Sequence, residues 1–138
     1  MVQTKFSTEE QVQTLIDSDD GGPIAIANLL TFKEKAQYPA GAAEAPLGLS
    51  GREAYQLYAD AFLELIADFG ARSLYWGDTI AYAIGEGEWD AVWVNHFPSF
   101  DALRAASTDP RYADMHRHRD AGLAYQHAIA TRPTIAAG

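Results

Sequence analysis

The sequence predicts an α+β fold: a ferredoxin-like split βαβ domain with a four-stranded antiparallel sheet and an extra N-terminal helix. Three observations predict it. Apolar runs rich in β-branched and aromatic residues fall at 23–32, 71–84, 91–97 and 125–131, separated by turn residues. Apolar residues at three- and four-residue spacing over 50–69 and 99–122 place helices after the first and third of these runs. The two middle runs are joined by a turn at 85–90, GEGEWD. The order is therefore βα, hairpin, αβ, the split βαβ motif, with the first and third strands central and the helices on one face.

The totals agree with one globular domain. The chain has 138 residues, 48% hydrophobic and 21% charged. We divide it into an N-terminal helical extension at 1–22, the main domain at 23–133 and a tail at 134–138. The net charge is −9, with only 10 Lys plus Arg. That balance argues against partners that need surplus cations, namely nucleic acid and anionic membranes. No apolar run approaches the roughly 20 residues of a membrane span. The start, MVQTKFSTEE, has no apolar segment of a signal peptide, and a cytoplasmic protein is expected. With no cysteine there is no disulfide framework and no thiolate.

Along the chain, Ser7 with Glu10 reads as a capping box, and Val12, Leu15 and Ile16 give a short apolar stripe. A turn cluster at 17–22 ends this helix. The first strand, PIAIANLLTF, is apolar on both faces, which suits a central position, and Asn28 is its exception. A buried amide there needs partners. Residues 33–49 form a loop rich in Ala, Gly and Pro, long enough to be a lid, a dimer arm or a tolerated insertion. Ser50 and Glu53 form a second capping box. The helix that follows carries Ala54, Tyr58, Ala61, Phe62, Leu65 and Phe69 on one stripe, with Tyr55 beside it and Gly70 as its stop. The next strand bends or bulges at Gly77 and continues to about Ile84. Its partner, 91–97, alternates Ala91, Trp93, Asn95, Phe97 with Val92, Val94, His96. Ser99 caps a short helix carrying Phe100, Leu103 and Arg104. Asp109 caps a second, with Pro110 at its first position, carrying Tyr112, Met115, His116 and Arg119 to about Gly122.

Helices on one face leave the other sheet face bare and apolar, and such a face predicts a homodimer. Metal ligation finds little support. His116 and His118 point to opposite sides of their helix, while His116 with Asp120 and Asp114 with His118 supply two ligands each and no third. Ser50 and Ser99 are explained as caps, and Gly85-x-Gly87 is a turn, not a nucleotide motif.

SGREAYQLY, WDAVWVNHFPSFDALRA and the following DPRY resemble a bacterial family catalogued as domain of unknown function 1330, in the dimeric α/β-barrel superfamily. The resemblance covers about residues 23–133. It implies two open sheets paired into a barrel with a cavity in each half, and no particular reaction. AIANLLTFKE further resembles the first strand of the superfamily's haem-degrading monooxygenases, in which an Asn projects into the cavity. Their His, four residues after an aromatic, maps onto His116 after Tyr112. Their cavity Trp falls at Phe97, a departure that removes an indole N–H. A haem-degrading or cofactor-free monooxygenase thus stays a remote alternative, and no cofactor or metal is assigned.

The expected site comprises Asn28 and His116 as candidate catalytic residues, with Tyr55, Tyr58, Trp93, Asn95, Phe97 and Tyr112 as ligand-binding residues. The expected ligand is a small apolar or aromatic molecule, oriented by the amides, with a neutral His able to act as a base. The register that decides which face holds Asn28, Asn95 and His96 is not fixed by sequence. The competing reading is a non-catalytic dimeric module, its interior filled by its own side chains, Trp93 and Phe97 above all.

Overall fold

The computed structural model describes residues 4–135. The order is α1 (Glu9–Ser18), β1 (Ile24–Phe32), a 3-10 turn (Ala45–Leu47), α2 (Gly51–Ala67), β2 (Arg72–Asp78), β3 (Ala91–Phe97), α3 (Phe100–Thr108), α4 (Pro110–Gly122) and β4 (Leu123–Thr131). The strands form one antiparallel sheet in the order β2-β3-β1-β4. This is the predicted ferredoxin-like arrangement, with β1 and β3 central.

Register assigns the faces. Ile26 pairs with Asn95, Asn28 with Trp93 and Ala128, and Leu30 with Ala91. These residues share the face covered by α2, α3 and α4. The core there is built from Leu30, Tyr55, Leu65, Ile66, Trp93, Phe97 and Leu123. The opposite face carries Leu29, Val92, Val94, Tyr75 and Ile129. Leu29, Val92 and Val94 are half-buried, while Tyr75 and Ile129 are 60% and 50% exposed. No described element covers this face.

The caps explain the helix starts. Ser50 Oγ accepts from Glu53 N at 3.0 Å, and Ser50 N donates to the Glu53 carboxylate at 2.9 Å. At α1 the capping box is Thr8 with Gln11, one residue beyond the expected Ser7 and Glu10. Glutamine serves because its Oε1 accepts from Thr8 N at 2.9 Å. Helix α1 buries no residue. Of the proposed terminal segments, 1–3 and 136–138 lie outside the described residues.

The structure corrects three expectations. β2 ends at Asp78, not near Ile84, and its bulge lies between Ser73 and Tyr75, not at Gly77. The cause is Asp90. Its carbonyl accepts from Thr79 N at 2.8 Å, but its N–H goes to Leu30 O at 2.7 Å and its carboxylate accepts from Phe32 N at 2.9 Å. The chain is thus held to the end of β1, and 80–88 becomes an exposed arm with no ladder partner. The 33–49 segment is tied down within the chain. Lys33 N donates to Gly122 O at 2.8 Å and Gln37 N to Ala121 O at 2.9 Å, and Arg117 pairs with Glu44 at 2.6 Å. It is a strap on α4, held by bonds within its own chain, rather than a free lid. On α2 the buried stripe includes Tyr55, Ala59 and Ile66, whereas Ala61 is only partly buried. α2 and α4 cross tightly there, with Gly122 against the backbone of Gly51 and Tyr55.

Candidate functional site

A cavity of about 1160 Å³ lies between the helices and the sheet. Its floor is the helix-facing side of β1, β3 and β4. The helices opposite contribute Tyr55, Tyr58 and Phe62 from α2, Leu103 from α3, and Tyr112 and Arg119 from α4. Thr4 to Thr8 and one side of α1, including Val12 and Leu15, border it as well. Space survives because β4 faces it with Ala128 and Ala130, and because α1 packs no side chain deeply against the domain.

Its apolar side is a connected set of rings. Tyr55 lies 5.2 Å from Tyr58 and 6.1 Å from Trp93, and Phe62 lies 5.5 Å from Tyr58 and 5.9 Å from Trp93. Trp93 meets both Tyr55 and Phe62 edge to face, and aromatic packing of this kind holds such rings in place. Trp93 Nε1 donates to Ser73 Oγ at 3.0 Å, so the indole is anchored. Burial pushes the hydroxyl pKa of both Tyr55 and Tyr58 upward, with Tyr112 adding to the shift at Tyr58. Both stay protonated at neutral pH and serve as neutral polar edges.

The polar side is a chain of hydrogen bonds. Asn28 Nδ2 donates to Trp93 O at 2.9 Å, and Gln126 Nε2 donates to Asn28 Oδ1 at 2.7 Å. Arg119 Nη2 donates to Gln126 Oε1 at 2.8 Å and to the carbonyl of Lys5. Arg119 Nη1 meets His116 Nε2 at 3.4 Å, and His116 Nδ1 meets Asp120 Oδ2 at 3.2 Å. These last two bonds are both satisfied when the imidazole proton sits on Nδ1. Arg119 is 8% exposed, and its described hydrogen bonds go to uncharged groups. Asn95 is 2% exposed, and its Oδ1 has no hydrogen-bond partner among the described residues.

Asn28, Tyr55, Tyr58, Trp93, Asn95, Phe97 and Tyr112 all border this cavity. His116 does not. It stands behind Arg119, with its imidazole against Arg119 and Asp120. His96 lies on the open sheet face, paired through its backbone with Ala25 and Arg72. His118 faces away, its Nδ1 at 2.7 Å from Tyr38 Oη, and burial lowers its pKa. No group of three metal-ligating side chains occurs among the described residues. Sequence reasoning did not select Arg119 and Gln126 for the site. The available signal was a charge continuing the inward stripe of Tyr112 and Met115 at helical spacing.

Fold and cavity define a class: a ferredoxin-like α+β domain with a chamber between its helices and its sheet. The chain belongs to the family described as domain of unknown function 1330 (DUF1330), whose model matches residues 45–135. Among solved structures it is similar to the RPA0582 protein of Rhodopseudomonas palustris, a protein of unknown function. In one crystal structure, of the methylated protein, the identity is 26%, the TM-score 0.85, and each chain is covered over 98% of its length. It is also similar in fold to a Caulobacter crescentus CB15 protein proposed to be an antibiotic biosynthesis monooxygenase. There the identity is 13% and the TM-score 0.55, covering 86% of this chain and 96% of that one. A dabb family protein of Mesorhizobium loti MAFF303099 with a ferredoxin-like fold shows 16% identity and a TM-score of 0.52, covering 81% and 97%. No curated protein matches. Among the described residues no helix is long and apolar enough to cross a membrane.

Proposed function

We propose that the protein binds a small molecule with an apolar or aromatic body in this cavity. The observation that carries the reading is the cavity itself: about 1160 Å³, with an aromatic side and one polar end. Pockets of several hundred Å³ with a few convergent polar groups are the usual form of small-molecule sites. An interior filled by Trp93 and Phe97 would have left no such space. In this reading Asn28 orients the ligand, and His116 is a positioning residue that holds Arg119. Titration with 2-naphthol, followed by calorimetry, is expected to give one site per chain. Ala128→Trp, which fills the chamber from its β4 side, should weaken that binding at least about tenfold. Undiminished binding to the filled variant would place the ligand elsewhere and remove this reading.

We further propose that the working form is a homodimer closed through the open sheet face. Leu29, Val92, Val94 and Ile129 form an apolar surface there, and Ile80 and Ile84 on the neighbouring arm are 100% and 94% exposed. Association should cover more than roughly 1,000 Å². Light scattering at micromolar concentration is expected to give the dimer mass, and Val94→Glu the monomer mass, since an unpaired charge would be buried. A wild-type monomer would refute the proposal. The net charge of −9 argues against nucleic acid and anionic membranes as partners.

A further inference from the structure

We infer that the cavity selects a carboxylate: a flat apolar acid whose carboxylate seats on Arg119 and whose second polar group, a hydroxyl or amine, donates to Asn95 Oδ1. This rests on the small-molecule reading above and names the class of ligand.

Two independent observations carry it. The first is Arg119. It borders the cavity at 8% exposure, and its described partners are the Lys5 carbonyl, Gln126 Oε1 and His116 Nε2. Those bonds leave Nε and one proton of Nη1 without a described partner, out of the five N–H donors of a guanidinium. A buried cation held only by neutral dipoles gains from a carboxylate, to which one of the remaining N–H groups can donate a charge-assisted bond. Its surroundings are cationic. Lys5 borders the same cavity, and desolvation, with the charges of Lys33 and Arg119, lowers its ammonium pKa despite Asp120. Asp120, the nearby carboxylate, is occupied by His116 and Lys5.

The second observation is Asn95. It is 2% exposed, borders the cavity, and its Oδ1 lacks a partner among the described residues. An acceptor buried without a donor is costly unless a ligand supplies one. The rings of Tyr55, Tyr58 and Trp93 border the same cavity and fit a flat body. The Tyr55 and Tyr58 hydroxyls stay protonated, so neither ring adds an anion to the cavity.

The test compares probes on the full-length protein by calorimetry. 6-Hydroxy-2-naphthoate is expected to bind at least about tenfold tighter than 6-hydroxy-2-naphthamide, the effect of one charge-assisted hydrogen bond. It should also bind several-fold tighter than 2-naphthoate, which lacks the donor for Asn95. Arg119→Met should erase the preference for acid over amide, while Arg119→Lys keeps part of it. Asn95→Leu should erase the preference for the hydroxylated acid and leave the acid preference in place. Equal binding of acid and amide by the wild-type protein would overturn the inference, and this comparison needs no variant to fold. An acid preference that persists in folded Arg119→Met would overturn it equally. If 2-naphthol still binds and still responds to Ala128→Trp, the small-molecule reading stands while the carboxylate assignment falls.

Discussion

Tyr55→Ala is expected to cost about 3–5 kcal/mol of folding stability, the range for removing a buried aromatic ring. Tyr55 is 1% exposed and lies between Phe32, Tyr58, Trp76 and Trp93, with ring centroids 5.2 to 6.1 Å away. Removing it separates α2 from the sheet at the point where the aromatic side of the cavity is assembled. Tyr55→Phe keeps the ring and should cost less than about 1.5 kcal/mol. Urea denaturation of the two variants measures the difference. Similar losses for both would show that the hydroxyl, not the ring, is what matters.

Gly122→Ala is expected to be comparably severe, at about 3 kcal/mol or more, although it adds one methyl group. The reason is the crossing of α2 and α4. A Cβ at Gly122 would overlap Gly51 O and lie 2.8 Å from Tyr55 N and 3.1 Å from Ala54 Cβ. Gly51 is as tightly placed, since a Cβ there would strike the backbone of Lys33. None of these backbone atoms can turn aside as a side chain can. The helices would have to separate, and Lys33 N would lose its bond to Gly122 O. A thermal melt of Gly122→Ala within a degree of the wild type would mean that the crossing is looser than this geometry implies.

Much of the fold was legible because it rests on local signals. β3 alternates with period two, and the structure places it at Ala91–Phe97 with Ala91, Trp93, Asn95 and Phe97 buried. Helix α2 was legible from Ser50 and Glu53, whose capping bonds span only three residues. Long-range bonds were not legible. Ile80 and Ile84 look like strand residues, but Asp90 is held by β1, and no sequence pattern announces that tie. The strap at 33–49 hid for the same reason: its partners are on α4, far along the chain. At the site, the aromatic residues were readable because apolar groups at helical or strand spacing point inward. Arg119 was not. A charged side chain belongs in water by default, and the Lys5 carbonyl and Gln126, brought from opposite ends of the sequence, join His116 in making its burial tolerable.

The place of β1 in the sheet bears on how the protein is made. β1 is the first strand to leave the ribosome, yet both of its neighbours come later: β3 at 91–97 and β4 at 123–131, with Ala25 paired to Thr131. An apolar strand central in the finished sheet therefore waits without a ladder until β3 has been made. Local pieces, such as the capped helix α2, can form while it waits. The sheet itself can close only when the last strand emerges, as expected of a topology dominated by distant contacts. During that interval β1 is the segment most exposed to wrong pairing, including with the β1 of another nascent chain.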